Sequence, residues 1–95
     1  MNALPLIQRA EMIARLEALE AEIAQLGWNG RLYTPSGRTP SLLVSGAATL
    51  REHIYSQPRV KGAAWFYWWS WAEPIACDAA EAASIITSVL CPDEQ

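Results

Sequence analysis

Between Met12 and Leu26 the residues Met12, Leu16, Leu19, Ile23 and Leu26 recur at spacings of four, three, four and three, one narrow apolar stripe on a helical wheel. Ala10, Ala14, Ala18 and Ala21 fill the rest of the cylinder with strong helix formers, and Arg9, Arg15, Glu20 and Glu22 border the stripe. The spacing predicts a helix over 5–26, ended by the left-handed conformation that Gly27 supplies. A stripe this narrow fits a coiled-coil seam better than the wider face of a globular helix, so a homodimer through these five residues is expected. The alternative is that the stripe packs on the chain's own sheet, and at about two heptads an intersubunit seam would itself need help from the sheet.

Beyond Gly27 the period shortens. Arg31 to Thr34 and Ser41 to Ser45 carry Leu32, Tyr33, Leu42, Leu43 and Val44 and bracket Pro35, Ser36, Gly37 and Arg38, which is the chemistry of a turn between two strands. Over 47–57 the spacing of Leu50 and Ile54 favours a short helix or irregular segment, although His53, Ile54 and Tyr55 also fit a strand. From Ala63 to Trp71 a two-residue period is aromatic on both faces: Trp65, Tyr67, Trp69 and Trp71 on one, Phe66 and Trp68 with Ser70 on the other. Such a strand is central, or covered from both sides.

Glu73 and Pro74 turn the chain, and Ile75 to Cys77 make a short last strand. Asp78 with Glu81 three residues on is a capping-box-like helix start, and Ala82, Ala83, Ile86, Val89 and Leu90 put one apolar face on the helix that follows, within 78–91. The fold class predicted is α+β in one domain, 1–95: a three- to four-stranded antiparallel sheet over 28–77 with a long N-terminal and a C-terminal helix, in the order α-β-β-(α)-β-β-α.

Composition narrows the function classes. At 95 residues with half of them apolar the chain is one globular domain, and no apolar run is long enough to cross a bilayer, so no membrane partner is expected. The start of the chain carries no readable export signal, because Gln8, Arg9 and Glu11 interrupt any apolar stretch. A formal charge of −3 with seven Lys and Arg argues against direct nucleic-acid binding. Cys77 and Cys91 flank the second helix and so stand roughly 20 Å apart, too far for a disulfide, which needs α-carbons within about 7 Å; reduced thiols and a cytoplasmic setting follow.

Candidate chemistry is thin. His53 is the single histidine; beside Glu52 it is a weak acid-base candidate and more plausibly a surface residue, and no zinc ligand set is spaced for metal. Cys77 before a helix N-terminus could be an activated thiol, but it lacks an activating partner, and buried packing is the preferred reading. Single glycines make neither a P-loop nor a dinucleotide fingerprint, so no cofactor is expected. Four Trp within the seven residues Trp65 to Trp71 exceed what one face of one strand can hide. Part of that cluster, Trp65, Tyr67, Trp68, Trp69 and Trp71 with Glu73 beside them, is therefore the candidate binding surface, with Trp69 or Trp71 as anchor.

The run Trp-Phe-Tyr-Trp-Trp-Ser-Trp-Ala-Glu-Pro-Ile from Trp65 to Ile75, followed by an Asp-capped alanine-rich helix, resembles a pattern in small actinobacterial proteins that carry no established activity. The likeness covers about the last third of the chain and implies fold and cytoplasmic setting only. The function expected is a non-catalytic adaptor or regulatory module that binds a protein partner as a homodimer. The runner-up is a small-molecule sensor whose Trp strand lines a pocket, with Glu73, Arg51 or His53 orienting the ligand. An enzyme using Cys77 or His53 ranks last.

Overall fold

A computed structural model describes residues 6–46, 51–58 and 64–90. The order is α1 (Leu6–Gln25), β1 (Asn29–Tyr33), β2 (Ser41–Ser45), β3 (Arg51–Pro58), β4 (Trp65–Trp69), β5 (Pro74–Ala76) and α2 (Ala79–Leu90). The strands form one sheet in sequence order, each antiparallel to the next. The fold is α+β, as the periodicities require, with one more strand than the upper count expected.

The extra strand is β3. The short helix expected over 47–57 is replaced by a strand from Arg51, while 47–50, including Leu50, lie outside the described residues. The physical reason is the pairing available on both sides: Leu42 faces Ile54 across β2, and Ile54 faces Trp69 across β4, so the backbone of this segment bonds to two neighbours instead of to itself.

α1 ends as Gly27 dictates. Gly27 has φ +84°, its N–H donates to the Ala24 carbonyl at 3.0 Å and the Trp28 N–H to that of Ile23 at 3.1 Å, the pair of bonds that defines a Schellman cap. In the β1–β2 connection Gly37, at φ +73°, sits third in a turn closed by the Arg38 N–H on the Pro35 carbonyl. Arg9 of α1 ties this loop down by donating to the carbonyls of Arg38 and Pro35. At the start of α2 the Asp78 carboxylate accepts from the Glu81 N–H at 3.0 Å, the cap foreseen from the sequence.

One hydrophobic core lies on one face of the sheet. Leu16, Leu19 and Ile23 from α1, Leu42, Val44, Ile54, Tyr67, Trp69 and Ala76 from the sheet, and Ala82, Ala83, Ile86 and Leu90 from α2 form a single cluster. This corrects the seam expectation: Met12, Leu16, Leu19 and Ile23 are 0–1% exposed within one chain, and Leu16, Leu19 and Ile23 pack with the chain's own sheet and second helix instead of lying open to a second copy. Leu26, read as the last residue of the seam, is 50% exposed, because the cap at Gly27 turns the chain away before it can join the core.

Candidate binding surface

Strand alternation divides the aromatic residues between two faces. Toward the helices point Trp65, Tyr67 and Trp69 of β4, with Leu42 and Val44 of β2 and Ile54 and Ser56 of β3. Away from them point Tyr33 of β1, Leu43 of β2, His53 and Tyr55 of β3, and Phe66 and Trp68 of β4. These outer residues are half-buried or exposed. Two pairs among them pack side by side: Tyr33 meets His53 edge-on at 5.4 Å between ring centroids, and Phe66 lies tilted against Trp68 at 6.4 Å.

The expected binding residues therefore separate. Tyr67 and Trp69, at 3% and 6% exposure, are core residues and cannot meet a partner without opening the protein. Tyr67 is fixed further by its hydroxyl, which donates to the Arg15 carbonyl at 2.7 Å, and burial foremost pushes its pKa above 10.0. Trp65 is half-buried under the Arg15 guanidinium, 5.1 Å from the ring centroid, with Arg15 also paired to Glu11 at 2.7 Å. Trp68 stands on the outer face, its indole N–H donating to the Gln57 carbonyl at 3.1 Å.

Trp71 and Glu73 form the tip between β4 and β5. The Trp69 N–H bonds to the Glu73 carbonyl and the Ala72 N–H to the Trp69 carbonyl, a tight loop in which Ala72 takes φ +69°. That conformation presses Trp71 flat against Trp69, 4.9 Å between centroids and 6° between planes, while the Trp71 indole N–H donates to the Glu73 carboxylate at 2.8 Å. Behind the tip the Ser70 hydroxyl donates to the Glu52 carboxylate. Trp71 is exposed, but one of its faces is spent on Trp69.

An open recess of about 290 Å³ is lined by Tyr55, Gln57, Pro58 and Trp68 and extends to Trp69, Ser70 and Ala72 at the end of β4, so Trp69, although mostly buried, contributes to its wall. None of Arg51, His53 or Glu73, the residues expected to orient a ligand, lines it. His53 instead shares a hydrogen bond of 2.9 Å through Nδ1 with the Ser41 hydroxyl. Cys77 is an exposed free thiol, which corrects the expectation of buried packing: it falls between the end of β5 and the Asp78 cap, where the chain leaves the sheet. Cys91 lies outside the described residues.

The sequence alone left Tyr33, Leu43, Tyr55 and Phe66 out of the binding surface and suggested His53 only as a group orienting a ligand. The signal was present in β3, where His53 and Tyr55 alternate with Ile54 and Ser56, but it is legible only once the segment is read as a strand. No helix among the described residues is long and apolar enough to cross a membrane. Compared with protein-family models, with curated proteins and with solved structures, the chain gives no match, and its surface is read from its own geometry.

Proposed function

We propose that this chain is a non-catalytic binding module that docks another protein on the outer face of its sheet. One-sided burial carries the reading: α1 and α2 fill the inner face, whereas Tyr33, Leu43, His53, Tyr55, Phe66 and Trp68 occupy the opposite one. Tyr and Trp offer large rigid area at low conformational cost, which is why they dominate interface hot spots, and an outer face this rich in rings exceeds what the core requires. Because the α1 stripe is consumed by the core, it is not free to pair with a second copy. The exposed free thiol of Cys77 supports a reducing, cytoplasmic setting.

Site-specific photocross-linking in cells tests the reading. A photoreactive amino acid at position 43 or 55 is expected to capture the same protein, and Trp68→Ala to abolish that capture, while the label at position 17 or 84 on the helical layer captures nothing in common. Equal capture from the helical layer, or capture indifferent to Trp68→Ala, refutes it.

The recess beside Tyr55 and Trp68 favours a second reading, a small-molecule sensor. Its volume falls at the lower edge of the roughly 300–1,000 Å³ typical of ligand pockets. A metabolite that shifts both the melting temperature and the indole signal of Trp68 would establish this reading over the first.

A further inference from the structure

Among the described residues, the outward positions of the sheet carry charge of one sign. Among the outward positions of β1 to β4, Arg31 and Arg51 are charged and no Asp or Glu occurs, although the chain holds ten acidic residues. The described carboxylates lie elsewhere: Glu11, Glu17, Glu20 and Glu22 in α1, Asp78 at the cap and Glu81 within α2, Glu73 at the tip bonded to Trp71, and Glu52 bonded to Ser70. Among the described residues, an acidic protein thus presents two guanidiniums beside its outer rings and no carboxylate from the outward positions of these strands.

The register locates the two arginines. Arg31 pairs with Leu43, and Arg51 with Ser45 on the other side of β2. They therefore stand two strands apart, about 10 Å, and two residues apart along the strands, about 7 Å. Leu43 and His53 continue the Arg31 row across the sheet, and Tyr55 and Trp68 lie side by side one step further along. A partner matching this layout places carboxylates over the arginine corner and apolar side chains over Leu43, Tyr55 and Trp68.

Resting on the docking reading above, we infer that the partner is a protein segment that alternates acidic and apolar residues, its carboxylates received by Arg31 and Arg51. A second copy fits less well. Face-to-face pairing by a two-fold axis sets a surface with two arginines and no carboxylate against itself, and seating the acidic helical layer on the sheet of the next copy gives a head-to-tail contact that need not close. Single-stranded nucleic acid could stack on the same rings, but it presents a phosphate at every nucleotide, and two arginines on a chain of net charge −3 are a poor counterpart.

The test uses the whole chain with four probes: a short peptide alternating Leu and Glu, the same peptide with Gln or with Lys in place of Glu, and a short oligothymidine. The readout is the NMR shift of the Trp68 indole N–H. The Glu peptide is expected to shift it in a saturable way. Affinity should fall about ten-fold in the Arg31→Glu, Arg51→Glu double variant, about 1.4 kcal/mol, and fall with added salt. The double variant should in turn bind the Lys peptide. Both arginines are exposed, so the variant is expected to fold, and the Arg31→Gln, Arg51→Gln pair serves as a milder control.

If the Gln peptide binds as well as the Glu peptide, the charge inference is overturned and the docking face stands. If oligothymidine alone shifts the Trp68 indole, the partner class is overturned in favour of nucleic acid. If no probe moves it while cross-linking still marks position 55, only this inference falls; if both fail, the docking reading falls with it.

Discussion

Ala72 is the one described residue other than glycine with positive φ, at +69°, and replacing it with glycine should stabilise the protein. An L-residue in the left-handed region carries a cost of roughly 1–2 kcal/mol from the contact of its Cβ with the following carbonyl, and glycine removes it. Against this, glycine raises the entropy of the unfolded chain, a loss of about 0.5–1 kcal/mol. Taking the middle of each range leaves a net gain of about 0.5–1 kcal/mol. For a domain of this size about 1 kcal/mol moves the midpoint of thermal unfolding by roughly 4–8 °C, so Ala72→Gly should melt about 2–8 °C higher. Thermal and urea unfolding followed by circular dichroism measure this, with an unchanged m-value as evidence that the unfolded state is comparable. The near-ultraviolet spectrum should keep the signature of the Trp69–Trp71 stack, since the loop bonds at Trp69 and Glu73 do not involve the Ala72 methyl. A lower melting temperature with the stack intact would refute the argument that Ala72 is strained.

Other outcomes follow from the core. Leu19→Glu should unfold the chain, costing more than about 3 kcal/mol for an unpaired carboxylate at a fully buried position, with a wild-type melting temperature independent of concentration; a folded variant that only dissociates would restore the α1 seam as an intersubunit contact. Ser56→Ala should be neutral or stabilising by up to about 1 kcal/mol in urea unfolding, because the buried Ser56 hydroxyl has no hydrogen-bond partner among the described residues; a loss above that would reveal one. Tyr67 is an acid whose folded pKa lies above 10.0, so its contribution to stability is complete below that pH and is lost as pH rises through the higher folded value. Melting temperatures should therefore fall in strong alkali, and Tyr67→Phe should flatten that fall while costing about 0.5–1.5 kcal/mol near neutrality for the bond to the Arg15 carbonyl.

Both helices and the β1–β2 hairpin were legible because their patterns agree with their surroundings. The span of α2, its Asp78 cap and the exact limits of β2 follow from spacing and turn chemistry alone. β3 was not, for an identifiable reason. Its inward positions include the polar Glu52 and Ser56, and its outward ones Arg51, His53 and Gln57, so both rows are largely polar, the apolar-in, polar-out alternation is lost and Ile54 looks isolated. The same loss of contrast hid the binding surface. In β4 both faces are aromatic, so the pattern announces a surplus of rings without saying which row the helices cover; that choice is made by Ile54 and Ala76, which flank Trp69 and Tyr67 in neighbouring strands. The fate of the α1 stripe was equally undecidable from one helix, since a seam and a core stripe of this length have the same spacing.

The sheet is a meander of neighbours, but the two helices that cover it come from opposite ends of the described chain and touch each other. The hairpins can close quickly from local contacts, whereas the bond from Tyr67 to Arg15 spans 52 residues. During synthesis α1 emerges first and its Leu16, Leu19 and Ile23 must wait for β4, β5 and α2 before they are fully enclosed. A nascent chain stalled before residue 79 would therefore display its most apolar stripe, the form in which chaperones would have most to hold.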